Sequence, residues 1–205
     1  MKPVQMTIGA VLCGTLLLQG CAPLALGTAV GTVLVSVDRR MAGTQLVDET
    51  IEFKSSAKAR ELFGDTAHVS VTSYNNIVLL AGEVSKEADK QRIEKAVTEL
   101  DNVKTVINEL AVTFPSTLTA RAGDTVITAK VRASLIDAKD LTSSAFKVTT
   151  ERGIVYLMGR VTSREAKCAT EITQGISGVN KVVQVFDLIE EAELERLLKR
   201  NDGTR

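Results

Sequence analysis

Hydrophobic and polar positions follow one arrangement that this chain writes twice. The stretches VSVTSYNNIVLLAGEVSKEADKQRIEKAVTELDNVKTVINELAV (69–112) and FKVTTERGIVYLMGRVTSREAKCATEITQGISGVNKVVQVFDLI (146–189) place Val71 with Val148, Val78 with Val155, Leu80 with Leu157, Gly82 with Gly159 and Val84 with Val161, all 77 apart. Val103 with Val179 and Val106 with Val182 are 76 apart, so the second copy has lost one residue between its helix and its last strand. In each copy two β-rich runs flank a two-residue turn, Asn75-Asn76 or Arg152-Gly153, which predicts a tight hairpin. Gly82 and Gly159 fall inside the second strand, where a missing side chain permits a bulge or close packing by another element. Apolar residues then recur at helical spacing behind Ser85 or Thr162 as expected caps: Ala88, Ile93, Ala96, Val97 and Leu100 in one copy, Ala166, Ala169, Ile172 and Ile176 in the other. Asn102 and Gly178, which tolerate a left-handed backbone, are expected to end these helices. A final strand follows, through Val103, Val106, Leu110 and Val112, and through Val179, Val182, Val183 and Val185.

One more helix precedes each hairpin, 46–62 and 124–138, because aligning Asp48 with Asp124 also superposes Ile51 on Ile127 and Lys54 on Lys130. The fold class is therefore α+β, with two tandem α-β-β-α-β units at 46–114 and 124–189. Residues 115–123, rich in Ser, Thr and Gly, read as the linker. Residues 190–205 read as a short charged helix and tail that lies on the second unit or frays, with Glu195 placed to pair with Lys199.

Ahead of the repeats, Lys2 precedes an apolar stretch from Val4 to Leu18, broken only by Gln5, Thr7 and Thr15, which is the layout of an export signal. Leu18-Gln19-Gly20-Cys21 resembles a bacterial lipobox. That resemblance implies removal of a signal peptide, 1–20, and a lipid joined to the Cys21 thiol, with 21–45 as lipidated N-terminus and tether. By the same resemblance, Ala22 after the cysteine points to the outer membrane. The alternative is an uncleaved anchor reaching Val37, but Gln19, Pro23 and several glycines interrupt it, and a spanning helix wants about 20 clean apolar residues.

Composition narrows the function classes. Basic and acidic residues balance at 25 each, so a chain-wide nucleic-acid footprint is absent. There is no Trp and few other aromatics, which leaves little for a stacking platform. Cys13 leaves with the signal and Cys21 is the acylation site, so Cys168 stands alone and no internal disulfide is expected. Cys168 is read as a buried, inert thiol on a helix face, since no histidine is placed to activate it. His68, the one histidine, has no partners at metal-ligand spacing and reads as structural. No phosphate loop, nucleophile elbow or paired-carboxylate motif occurs, so neither enzyme activity, metal nor cofactor is expected beyond the covalent lipid.

Charge separates the two units. Residues 46–114 hold 8 basic and 12 acidic residues, whereas 124–189 hold 9 basic and 7 acidic, so only the second suits an anionic surface. In its first helix Ile127, Val131, Ser134, Leu135 and Ala138 share the face expected toward the core. Val126, Ala129, Ala133 and Ile136 lie opposite, flanked by Lys130 and Arg132. An apolar outer stripe edged by cations is what an interfacial helix needs to contact anionic phospholipid, although the same stripe could pack on another unit or on a protein partner.

The hairpin-Gly-Val-helix-Gly-Val pattern, clearest in GIVYLMGRVTSREAKCA and ISGVNKVV, resembles the BON domain. Two such units behind a lipobox and the segment DRRMAGTQLVDETIE (38–52) resemble the dual BON domain outer-membrane lipoproteins. The first unit departs from the pattern at Asn102, where the family often has Gly. The resemblance implies a non-enzymatic, lipid-anchored protein of the periplasmic face of the outer membrane. It would bind anionic phospholipid through its second domain, support envelope integrity and gather at the division site. An adaptor for outer-membrane assembly or cell-wall remodelling proteins, held through the acidic first unit, is the alternative.

Overall fold

A computed structural model of the chain describes residues 38–202. The signal segment, Cys21 and most of the expected tether lie outside the described residues. Helix α1 (Ala42–Phe63) leads into hairpin strands β1 (His68–Tyr74) and β2 (Ile77–Val84), helix α2 (Glu87–Thr98) and strands β3 (Thr105–Asn108) and β4 (Ala111–Val112). The second repeat runs α3 (Leu118–Asp137), β5 (Phe146–Glu151), β6 (Ile154–Val161), α4 (Ser163–Gln174) and β7 (Lys181–Leu188), and helix α5 (Glu191–Asp202) follows. In the first sheet β2 is antiparallel to β1, with Tyr74 opposite Ile77, and parallel to β3 and β4. The second sheet has the order β5-β6-β7, with β6 antiparallel to β5 and parallel to β7.

Both hairpins close on turns with positive φ at the two central residues: 52° and 68° at Asn75 and Asn76, 57° and 71° at Arg152 and Gly153. This backbone matches the twist of the flanking strands. The lost residue shows in the parallel register, where Ile77 faces Thr105 but Ile154 faces Lys181, one position earlier in the repeat. The last strand of the first repeat is interrupted at Glu109 and Leu110, yet the same register holds on either side. Gly82 and Gly159 are sites of close backbone approach. An added Cβ would lie 2.2 Å from the carbonyl oxygen of His68 or 2.4 Å from that of Ala145.

Several boundaries differ from the pattern-based expectation. Helix α1 starts at Ala42, four residues early. Helix α3 starts at Leu118, so most of the expected linker is helical. Thr117 caps it by accepting the Ala120 N–H at 3.2 Å, and Gly123 sits in the helix with open space around it. Ser85 does not cap α2, because its hydroxyl donates to the Thr66 carbonyl and the N-cap is Lys86. Asn102 and Gly178 keep positive φ, 67° and 100°, but lie beyond helices that end at Thr98 and Gln174, in the turns that enter the last strands. Glu195 and Lys199 form no ion pair among the described residues. Glu193 pairs with Arg160 and Glu191 with Arg164 instead.

The helix-facing side of each sheet carries its own core. Val78, Leu80 and Val84 pack with Ile51, Ala59, Phe63, Ile93 and Val97, and Val148, Val155 and Leu157 pack with Val131, Leu135 and Ala169. The opposite faces of the two sheets meet each other, Leu79 and Ala81 against Tyr156 and Met158, with Tyr74 and Val185 alongside. Leu79 and Tyr156, and Ala81 and Met158, are repeat-equivalent positions. So are Thr72 and Thr149, whose hydroxyls share a 3.0 Å hydrogen bond. The interface is thus built from the same positions twice, as in a two-fold dimer.

Polar contacts border this interface. Lys147 pairs with Glu52 at 2.5 Å, His68 Nε2 meets Glu151 at 3.1 Å, and Asn75 donates to Asp187. Arg39, buried ahead of α1, grips Glu165 of the second repeat through two 2.7 Å bonds and donates to the Arg160 carbonyl. The described residues, 38–202, accordingly belong to one compact unit.

Candidate functional site

The face singled out by the sequence belongs to α3. Val131 and Leu135 anchor this helix in the core, and Thr128 donates to the Thr150 hydroxyl at 2.7 Å. Asp124, also inward, accepts the backbone N–H groups of Arg152 and Gly153 at 2.8 Å each and so ties the helix to the hairpin turn. These contacts fix which side of α3 faces solvent. Val126 and Ile136 are 54% and 68% exposed, and Ala129, Lys130, Arg132 and Ala133 are exposed beside them.

The earlier start of the helix lengthens this face. Leu118, 81% exposed, and Ala122 precede Val126 at four-residue steps. At 3.6 residues per turn, Leu118, Ala122, Val126, Ala129, Ala133 and Ile136 fall within about 80° of arc, along about 27 Å of helix. Leu118 and Ala122 were missed because residues 115–123 read as a linker. The signal that could have found them is Thr117, a good N-cap just after Pro115.

Lys130 has no ion pair or hydrogen bond among the described residues, so its charge is available at the edge of the stripe. Arg132 donates one N–H to the Val148 carbonyl at 3.2 Å, which aligns its guanidinium along β5. Beside it, between α3 and β5, a depression of about 190 Å³ is lined by Arg132, Ile136, Ser143, Lys147 and their neighbours. Arg132 lends its rim a positive charge, whereas Lys147 on the same rim is already paired with Glu52.

The remaining candidates lie apart from this face. His68 bonds Glu151 across the domain interface. Cys168 is half-buried on α4, more open than the buried thiol expected from sequence. Gly178 meets the Ile127 side chain, and an added Cβ would lie 3.1 Å from it. No group of three or more His, Cys, Asp and Glu side chains able to hold a metal is found among the described residues. Among them, too, no helix is long and apolar enough to cross a membrane.

Comparison with known proteins gives the family. The chain matches the BON domain over residues 48–113 and again over 123–190. It is 33% identical to the outer membrane lipoprotein DolP of Haemophilus influenzae over 192 residues, 93% of this chain and 97% of that protein. It is 28% identical to the 21 kDa hemolysin of Actinobacillus pleuropneumoniae over 75% of this chain and 80% of that one. Among solved structures, CdsD, a structural protein of the type III secretion system of Chlamydia trachomatis, overlaps 74% of this chain and 97% of its own, but a TM-score of 0.30 at 15% identity is too weak to bear on the fold. Two BON matches and a relative aligned almost end to end place the chain in the BON domain family, as a dual BON domain protein of the DolP type.

Proposed function

We propose that this chain is a non-enzymatic lipoprotein of the periplasmic face of the outer membrane, anchored by a lipid on Cys21, that binds anionic phospholipid through α3. The observation that carries this reading is the outer face of α3, where Val126 and Ile136 stand exposed in an apolar stripe bordered by the unpaired Lys130 and by Arg132. In an interfacial helix such a stripe enters the headgroup boundary, and each cation adds about 1 kcal/mol near an anionic surface. The contact is weak alone, and the acyl chains raise its effective concentration. The outer-membrane lipoprotein among its relatives supports the location. Support of outer-membrane integrity at the division site is the cellular role this reading carries.

Flotation of residues 36–205, which lack the lipid anchor, tests it. Binding is expected to vesicles containing phosphatidylglycerol and not to zwitterionic ones, with Val126→Glu reducing it at least tenfold. Equal binding to both vesicle types, or full binding by Val126→Glu, would overturn the assignment.

A second reading, an adaptor for envelope assembly or cell-wall remodelling proteins, is favoured by one observation. Leu46 and Phe53, seven residues apart on the outer face of α1, are 66% and 72% exposed within the acidic repeat. An apolar pair in acidic surroundings suits a protein partner better than an anionic bilayer.

A further inference from the structure

Resting on the membrane reading of α3, we propose that the contact with an anionic bilayer begins ahead of that helix, at Phe114 and Leu118, and that Phe114 is its aromatic wedge. Phe114 is 91% exposed, more than any other large apolar residue described, in a chain with five Phe and no Trp. A phenyl ring in water is unfavourable, so full exposure needs a structural cause.

That cause is visible in the backbone on either side of it. The Thr113 N–H bonds the Val84 carbonyl at 2.9 Å. The Ser116 N–H and hydroxyl both bond the buried carboxylate of Glu83 at 3.2 Å, and Arg121 Nε donates to the Ser116 hydroxyl. Pro115 between them restricts the chain further. Phe114 therefore sits on a short pinned segment and is held out, rather than left on a slack loop that could fold the ring back.

Leu118, which opens the outer stripe of α3, follows four residues later, so the exposed ring immediately precedes the stripe along the chain. An apolar face that opens with Leu118 and carries cations on its edges, with an exposed Phe just ahead of it, suits a helix lying in a headgroup layer. Charge complementarity selects an anionic bilayer as the occupant. The second repeat is net basic, Lys130 is unpaired at the edge of the stripe, and the net acidic first repeat ends at Phe114. The contact is thus bounded at the domain junction.

The absence of Trp makes the test direct. The full chain is reconstituted in vesicles as Phe114→Trp and, separately, as Val126→Trp, and emission and quenching by lipids brominated on the acyl chain are read. Both positions are exposed, so neither change strains the fold. The expected result is a blue shift and quenching of both tryptophans in vesicles containing phosphatidylglycerol, and Phe114→Ala weakening vesicle binding of residues 36–205 by about three- to tenfold. Quenching at Val126→Trp without quenching at Phe114→Trp overturns the wedge and leaves the α3 reading standing. Quenching at neither overturns both. Equal quenching of Phe114→Trp in zwitterionic vesicles overturns the anionic surface as the occupant.

Discussion

Asp48 and Asp124 occupy equivalent positions of the two repeats and do the same work. Asp48 accepts the N–H groups of Asn75 and Asn76 at 2.8 Å, the Ser73 hydroxyl and Arg40, and Asp124 accepts those of Arg152 and Gly153. A two-residue turn with positive φ leaves amides that its own hairpin does not satisfy, and a buried amide without a partner costs about 1–3 kcal/mol. Asp124→Ala should therefore lower stability by about 2–4 kcal/mol, measured by urea unfolding. Burial opposes the charge of Asp48 and of Glu165, but hydrogen bonds outweigh it and hold both carboxyls below their ordinary 3.8 and 4.5. The donors are Ser73, Asn76, Arg40 and Asn75 for Asp48, and Arg39 and Thr162 for Glu165. A carboxyl with a lower pKa in the folded than in the unfolded chain adds stability that is full above the unfolded value and lost as pH falls through the folded one. The urea midpoint should hold level above about pH 5 and drop below pH 4.5, and Asp48→Asn should flatten that drop; an unchanged slope would remove Asp48 from the account. The alignment of these aspartates was legible in the sequence, whereas their role was not, because the turn amides they satisfy are 27 to 29 residues away.

Helix starts separate the two repeats at the scale of elements. Thr162 caps α4 in a reciprocal box with Glu165, three positions on. In the first repeat the acidic residue after Ser85 is Glu87, two positions on, and the box cannot close because its geometry needs a spacing of three. Thr162→Ala should lower the unfolding free energy by about 1 kcal/mol, while Ser85→Ala should lower it by clearly less, both read from chemical denaturation. Equal losses would mean that the box contributes nothing beyond an ordinary hydroxyl contact. Helices α2 and α4 were legible because their apolar residues keep a 3.6-residue period. The start of α3 was not, because Pro, Ser, Thr and Gly make up five of the nine residues 115–123 and masked Thr117 as a cap, and that misreading hid Leu118 and Ala122, the first third of the exposed stripe.

At the scale of the whole molecule, the packing of one sheet on the other makes the two repeats a single body. Tyr74 and Tyr156 are the only tyrosines of the chain, and both lie in that interface. Burial pushes both phenols up to about 12, with nearby carboxylates adding to it. Tyrosine emission therefore reports the interface while far-UV circular dichroism reports the helices and sheets. The two signals should unfold together in urea, and Leu79→Asp, which places a charge against Tyr156 and Met158, should move the tyrosine transition to lower urea than the dichroism. Separate transitions in the unaltered chain would mean that the repeats unfold independently. The runs Ile77-Val78-Leu79-Leu80-Ala81 and Ile154-Val155-Tyr156-Leu157-Met158 carry no polar alternation, which marks strands buried on both faces. What the sequence determined by itself was everything set by near neighbours: the repeat, the hairpin turns, the lost residue, the box at Thr162 and the outward stripe of α3 from Val126 to Ile136. Only the tertiary structure decided what covers the second face of each sheet, that Arg39 reaches Glu165 across the interface, and that Phe114 is held out from a pinned segment. These depend on groups distant along the chain, and local periodicity carries no information about which distant surface a buried face will meet.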